Sequence, residues 1–358
     1  MSPNRARLRV VAGSGLPRRR KTHGHGRVWL ELLKRLSNQV DLCFAEPRYV
    51  PHRRLNTPRR PDVWLVNGHS PPPAVDSPAV VVFHEVSWHV PELREQLLAT
   101  WAEMHEAAAR QCMAFATRVL VPSSVAAKEV VAAYGTDAQR IDIVPYGVDL
   151  RRFRPGRGDG AAIVAGVAKR EARPYVLYVG SLLPRKNLAS LRIAMAGLAQ
   201  RGFPHDLVIV GAGSPDRSDP ADLERAAAED LPGAPGRVVR IPSPVPQRQL
   251  VALMGGADAF CVPSLYEGFG LVALEAMACG APTLVSNGGS LPEVVDEAGV
   301  VVEPTAAAIE KGLAELLANP ATAEDLRAAG RARAETMTWD RTVTGWVNAL
   351  RRAAEEGR

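Results

Sequence analysis

Only 5% of the 358 residues are aromatic, and the four cysteines, Cys43, Cys112, Cys261 and Cys279, form no C-x-x-C pair. Scattered single cysteines exclude a disulfide-stapled scaffold and a cysteine-rich zinc fold, and read as reduced core thiols of a cytosolic protein. No run of about 18 apolar residues occurs, and the N-terminus lacks a signal-peptide core, so neither a membrane span nor export is expected. Gly13 and Gly15 lack a third glycine at position 18, where Arg18 stands, and Pro17 interrupts the turn. That excludes a dinucleotide fingerprint. His84 and His89 lie five apart on a strand-to-loop segment, whereas a helical H-E-x-x-H zinc site needs a spacing of four.

What the chain does have is length and charge. At 358 residues it is about twice an ordinary domain, and its 46% hydrophobic content suffices for two cores. The net charge of +6 is uneven: residues 1–160 hold 24 Lys/Arg against 15 Asp/Glu, and residues 161–358 hold 20 against 23. A first half at +9 attracts nucleic acid, anionic lipid or a phosphorylated substrate, or is simply a well-solvated Arg-rich surface.

The most informative stretch is 261–293, CVPSLYEGFGLVALEAMACGAPTLVSNGGSLPE. A strand-like run at 257–262 leads into the turn 263–270 and then into helix-favouring LVALEAMA. Glu267 precedes that helix and Glu275 lies inside it, which lets two carboxylates face one ligand from different sides. Gly268 and Gly270 remove side chains where a backbone approaches something closely. The helix directs its unpaired N–H groups and positive dipole end into the same space, which suits a diphosphate. A buried strand–turn–helix with solvated glutamates is the plainer alternative.

Taken in order, residues 7–12 read as a first strand, Arg18, Arg19, Arg20 and Lys21 as a basic loop, and Gly24 and Gly26 as the opening of an amphipathic segment at 28–36. Residues 47–61, rich in Pro and Arg, read as a surface connection, and 62–66 as a short strand. The apolar run 79–83 is a buried strand that delivers His84 and Glu85 at its C-terminal end, where parallel sheets bind ligands. A helical stretch at 92–117, a strand at 118–121 and a helix capped by Ser123 or Ser124 follow. Residues 151–174 show little hydrophobic pattern and are the linker candidate.

Beyond it, strands at 175–179, 206–210, 237–241, 257–262, 282–285 and 300–302 alternate with helices, as in a doubly wound parallel sheet. Gly180 leads from the first of these to Pro184-Arg185-Lys186-Asn187. A glycine and two adjacent cations at a strand-to-helix turn make an anion site, with plain surface charge as the alternative. Gly211 ends the next strand, where a side chain is expected to crowd a bound nucleotide.

The 261–293 stretch resembles the signature of the family-4 retaining glycosyltransferases (glycosyl transferases group 1). Glu267-Gly268, Phe269-Gly270-Leu271, Glu275-Ala276-Met277-Ala278, Gly280 and Pro282 all match it. The resemblance runs from about Gly24 to Ala354. His84-Glu85 followed by Pro91-Glu92 is similar to the family's His-Asp and Pro-Glu pairs, with Glu85 replacing the aspartate. Tyr146 stands where asparagine is frequent. The resemblance implies an α/β protein of the GT-B class, two Rossmann-like doubly wound domains facing across a cleft. Here they would be 1–155 with a crossover helix at 339–358, a linker at 156–174, and a nucleotide-sugar-binding domain at 175–338.

It further implies transfer of a hexose, with retention, from a nucleotide-diphosphate sugar to a glycan or lipid-linked acceptor. By that resemblance Glu275 binds the ribose hydroxyls, Glu267 contacts the donor hexose, and Arg185 and Lys186 balance the diphosphate charge. Gly180, Gly211, Gly268, Phe269, Gly270 and Leu271 line the donor, and the loop 242–246, with Val245, reads the base. The Gly24 and Gly26 loop lies near the phosphate or acceptor. Retaining chemistry on this fold requires no dedicated protein base, and the sequence offers none beyond His84, which counts among the catalytic candidates; its plainer alternative is a satisfied strand-end histidine. The His84–Glu92 pattern resembles the mannosyl-transferring branch, which makes GDP-mannose the expected donor. No cofactor or metal is expected, because no Asp-x-Asp ends a strand; Asp216 and Asp219 lie in a Pro-rich loop, and Asp137 and Asp142 flank a turn. The rival readings are a non-hydrolysing sugar-nucleotide 2-epimerase of the same fold, a nucleotide-sugar hydrolase and a non-enzymatic nucleotide-sugar-binding protein. The expected place is cytoplasmic, at the inner face of an anionic membrane touched through charge, with no nucleic-acid partner.

Overall fold

The structure, a computed structural model, describes residues 7–13, 24–45, 61–94, 99–156, 158–211 and 229–357. The basic run Arg18 to Lys21, nearly all of the connection 47–61, and Asp216 and Asp219 lie outside these residues. The chain divides into two compact units, Met1–Gly147 with Trp339–Arg358, and Val148–Thr338.

The first unit holds β1 (Arg9–Ala12), β2 (Asp41–Phe44), β3 (Val63–Asn67), β4 (Ala79–Val82), β5 (Arg118–Val121) and β6 (Ile141–Ile143). They pair in parallel in the order β2-β1-β3-β4-β5-β6. A parallel sheet is covered on both faces, so its central strands read as unbroken apolar runs rather than alternating ones. β4 is AVVV with every residue at 0% exposure. One cover is the C-terminal helix Trp339–Glu356, which buries Trp339, Val343, Trp346, Val347 and Leu350 at helical spacing. It packs on β3, β4, β5 and the helix His25–Leu36, where Trp346 meets Trp29 edge-on at 5.3 Å. Its end is tied by Arg118, which lies 2.7 Å from Asp142 and 2.5 Å from Glu356.

The second unit holds β7 (Tyr175–Val179), β8 (Asp206–Gly211), β9 (Val238–Pro242), β10 (Ala259–Val262), β11 (Thr283–Ser286) and β12 (Val300–Val302). Their order is β12-β11-β10-β7-β8-β9, all parallel. Counted from β7 this is the 3-2-1-4-5-6 order of the Rossmann sheet, whose direction of winding reverses between β7 and β10. In the first unit the reversal falls between β1 and β3. Both units are therefore doubly wound, as expected of the two Rossmann-like halves of the GT-B class.

Several boundaries differ from the sequence reading. The expected linker at 156–174 contains the helix Gly160–Ala168, which packs on the helix Gln247–Gly255 and on β9, and the second unit already begins at Val148. Gly160 is there for packing: a Cβ would collide with the Tyr175 hydroxyl and the Ala252 carbonyl. Gly26 is not in a loop; Gly24, at φ +56°, caps a helix that starts at His25. The long helix expected at 92–117 is the turn Pro91–Arg94 and the helix Ala99–Phe115. Among the described residues no helix is long and apolar enough to cross a membrane.

Candidate functional site

At the reversal point of the second sheet, the chain leaves β7 to one side and β10 to the other, which opens a crevice beyond their C-terminal ends. The segments that leave them, 180–187 and 263–270, are stitched together. Leu265 N donates to Arg185 O at 2.8 Å, and Arg185 Nη1 donates to Tyr266 O at 3.2 Å. Asn187 Nδ2 donates to Pro263 O and Pro304 O at 2.9 and 2.8 Å. Asn187 sits at φ +56°, a conformation asparagine tolerates better than most residues, and joins the short turn Pro184–Lys186 to the helix Leu188–Gln200. The two cations are thus fixed at the mouth of the crevice.

Glu267 is their counterpart. Its carboxylate accepts from Lys186 Nζ, accepts from Ser264 Oγ at 2.7 Å and lies 3.9 Å from Arg185 Nη1. The side chains of Arg185, Lys186 and Glu267 are 16%, 14% and 11% exposed, so these charges interact in a poorly solvated setting. Burial alone would raise the Glu267 carboxyl; Lys186, Arg185 and the Ser264 hydroxyl outweigh it and hold it below its ordinary value. The backbone is held as well: Ser290 donates to Glu267 O through its N–H at 3.0 Å and its hydroxyl at 3.1 Å. Gly288 and Gly289 let that loop pass, since a Cβ on either would strike the carbonyl of Ser264 or Glu267. Two cations against one carboxylate leave the cluster net positive.

The helix Leu271–Ala278 starts at the same place. Its N-cap, Gly270, has φ +94°, and no side chain caps it. Its first-turn N–H groups and positive dipole end add to the positive cluster, and a diphosphate is the ligand such a site fits. Phe269 and Glu275 are buried, at 6% and 3% exposure, with Glu275 in the second turn of that helix. Gly180 and Gly211 come together at the ends of β7 and β8. Gly180 N donates to Val210 O at 3.0 Å, Ser243 N donates to Gly211 O at 3.3 Å, and Val245 follows in the same exit loop. The reason for glycine at 211 is not the one expected from the sequence. A Cβ there would overlap the carbonyl oxygen of Gly180, so the crowding is between two strand exits.

His84, Gly24 and Gly26 belong to the first unit. His84 is 1% exposed, its Nδ1 is hydrogen-bonded to the Tyr146 hydroxyl, and its ring stacks on His25 at 4.4 Å. Burial, reinforced by His25 and His69, holds this imidazole well below its ordinary value, so it is neutral at pH 7. Glu85, 5% exposed, accepts from Ser87 Oγ at 3.3 Å.

Sequence reasoning had not assigned Ser264, Asn187, Ser290, Gly288, Gly289 or Arg240. Arg240 donates to the carbonyls of Ile209 and Ile241 at 3.2 and 3.0 Å and also to that of Gly211. The serine and the two glycines of Gly288-Gly289-Ser290 lay inside the quoted stretch, and their spacing from Glu267 was the available signal. Of the cysteines, Cys112 and Cys279 are pushed up to about 12 by burial, which leaves no reactive thiolate there.

Comparison with known proteins bears on the family and the fold. Residues 6–152 match the model described as Glycosyltransferase Family 4, and residues 161–333 match Glycosyl transferases group 1. The D-inositol 3-phosphate glycosyltransferase of Segniliparus rotundus is 36% identical over 252 residues, 69% of this chain and 55% of that protein. The Rhodococcus opacus protein of the same name is 34% identical over 253 residues, 68% and 55%. The aligned part thus spans about half the length of these curated relatives. Among solved structures, sucrose-phosphate synthase from Thermosynechococcus elongatus superposes with a TM-score of 0.74 at 22% identity, covering 97% of this chain and 99% of that one. Anabaena HepE, in complex with UDP and glucose, gives 0.73 at 16% identity, covering 96% and 100%. These likenesses fix the fold, and the two family models, matched in order along nearly the whole chain, place it among the group 1 glycosyltransferases of family 4.

Proposed function

We propose that the chain is a retaining hexosyltransferase that moves a sugar from a nucleotide-diphosphate donor to a hydroxyl of a glycan or lipid-linked acceptor. The observation that carries this reading is the net-positive cluster of Arg185, Lys186 and Glu267 beside the Gly270 start of the helix Leu271–Ala278. In the reaction the donor C1–O bond breaks and its electron pair moves onto the diphosphate. Arg185, Lys186 and the helix start stabilise that charge where it develops. The acceptor oxygen forms the new bond to C1 on the same face, and its proton passes to the departing phosphate oxygen, so no protein base is required at that step. Glu267 contacts the hexose, Glu275 the ribose hydroxyls, and Val245 with its loop the base.

GDP-mannose is the donor suggested by the His84–Glu92 pattern, and D-inositol 3-phosphate is the acceptor that the curated relatives' name brings to the test. Incubation with UDP- and GDP-sugars, with and without glycan and lipid acceptors, decides the reading. An acceptor-dependent glycoside with the donor's anomeric configuration supports it. An altered nucleotide sugar formed without acceptor points to an epimerase, and tight nucleotide binding without turnover points to a binding protein.

The basic first half favours peripheral contact with anionic membranes through charge. Sedimentation with anionic vesicles should show binding at low salt that is lost in about 0.5 M salt, where screening reaches only about 4–5 Å.

A further inference from the structure

Three of the five residues in the exit loop 242–246 are prolines, Pro242, Pro244 and Pro246, and carry no N–H. Only Ser243 and Val245 can donate from the main chain, and Ser243 spends its N–H on Gly211 O at 3.3 Å. A segment so short of donors cannot build a hydrogen-bond ladder of its own, so its placement has to come from the strand ends it leaves. One side chain reaches both of those ends. Arg240, in β9, donates through Nη1 to Ile209 O at 3.2 Å and Ile241 O at 3.0 Å, and through Nη2 to Gly211 O. The Gly211 carbonyl thus receives the first N–H of the loop and the guanidinium together. Ile241 O is the last carbonyl before Pro242.

The register of the sheet explains this reach. Tyr178, Ile209 and Arg240 are paired in line across β7, β8 and β9, which puts their side chains on one face. Among the described residues β9 is the last strand on its side, and Arg240 is half-buried there. A guanidinium on an edge strand is free to turn outward to water. Here the fork folds back over β8, and charge-assisted bonds to three carbonyls outweigh the rotamer freedom given up. Its charge is also felt further in. Burial raises the Tyr178 hydroxyl and Glu267 acts in the same direction, while Arg185 and Arg240 act against it. Arg240 therefore stands within electrostatic reach of a group that the phosphate-facing cluster also reaches.

We propose that Arg240 is a positioning residue for the nucleoside: it fixes the loop 242–246 through the carbonyls of Gly211 and Ile241, and so sets how tightly a base is held beside the diphosphate. This rests on the transferase reading above. The role differs from that of Arg185 and Lys186, which meet the diphosphate by charge and are held by Tyr266 O and Glu267, not by Arg240. Removing Arg240 leaves those two cations in place, so the nucleoside and the phosphates should part company in binding. Lysine is a partial substitute, because a compact ammonium cannot span separate carbonyls as a planar fork does.

The test uses the full chain, with UDP, GDP and inorganic pyrophosphate as calorimetric probes well below the melting temperature of each variant. Arg240→Met should weaken the tighter of the two nucleotides at least tenfold, while pyrophosphate affinity stays within twofold of wild type. Arg240→Lys should weaken that nucleotide at least threefold, recovering only part of the loss. Without ligand, NMR-detected amide exchange at Ser243 should quicken at least tenfold in Arg240→Met, with Val208 in the middle of β8 unchanged. A loss shared equally by nucleotide and pyrophosphate, as general loosening or a direct phosphate contact would give, overturns the proposal. Wild-type exchange at Ser243 overturns it too. Where Arg240→Met does not fold, Arg240→Lys decides it, and unchanged nucleotide affinity there overturns the assignment. Wild type that binds neither nucleotide more tightly than pyrophosphate would defeat the transferase reading instead, and the Ser243 exchange would still decide whether Arg240 holds the loop.

Discussion

Lys186 donates to Glu267 across 81 residues of chain, so the cation best placed to meet a diphosphate is already oriented by a carboxylate from the neighbouring strand exit. Removing either cation from this poorly solvated cluster should cost about 10²–10³ in rate, a few kcal/mol of stabilisation of the departing diphosphate. Lys186→Ala and Arg185→Ala should therefore lower kcat steeply when assayed well below each variant's own melting temperature, which falls because Glu267 is left with one cation. Turnover in both variants within a few-fold of wild type would contradict the assignment.

The same pair has a pH signature. The folded Glu267 carboxyl lies below its ordinary value, so it contributes stability that is present above the unfolded value of about 4.3 and is lost as pH falls through the lower folded value. Urea unfolding from pH 7 to pH 3 should show a steeper loss of stability for wild type than for Glu267→Gln. Parallel acid limbs would show that the carboxylate is not linked to folding.

The two glutamates should separate in binding. Glu275→Ala removes a charged acceptor from the ribose hydroxyls and should weaken nucleoside diphosphate binding by about 1.5–3 kcal/mol. Glu267→Ala should impair transfer while leaving that affinity nearly intact. Calorimetric titration of both variants with UDP and GDP checks this, and wild-type affinity in both would remove the ribose assignment.

Gly211→Ala should destabilise the second unit by about 1–3 kcal/mol, because the added methyl meets the Gly180 carbonyl rather than open space. The loss should be seen in denaturant unfolding without nucleotide. A variant of unchanged stability with weakened nucleotide binding would restore the older reason, crowding of the ligand.

Activity should survive exhaustive EDTA treatment, since Arg185, Lys186 and the helix start at Gly270 supply the positive charge and no Asp-x-Asp ends a strand-like run. Complete loss that Mg²⁺ or Mn²⁺ restores would overturn this account.

The central strands were legible because burial writes itself as apolar runs: β5 and β7 fall on the residues expected from the sequence. β2 was not, because an edge strand of four residues, DLCF, has its first residue exposed and none fully buried. The helix Gly160–Ala168 was hidden by RPGRGDG, although Asp159 caps it by accepting from Ala162 N at 3.0 Å, a signal present in the sequence. The site's chemistry-bearing residues were readable as types at a spacing. That Glu267 faces Lys186 was not, since nothing local says which loops of a doubly wound sheet become neighbours.

The first unit takes its final helix from the last twenty residues of its span, Trp339–Arg358, so in covalent terms the second unit is an insertion within it. A chain made from its N-terminus therefore finishes the second unit first. At residue 338 that unit is complete, while β3, β4 and β5 still await the helix that covers them. During synthesis the first unit, though begun earlier, lacks this cover on its sheet until residues 339–358 emerge.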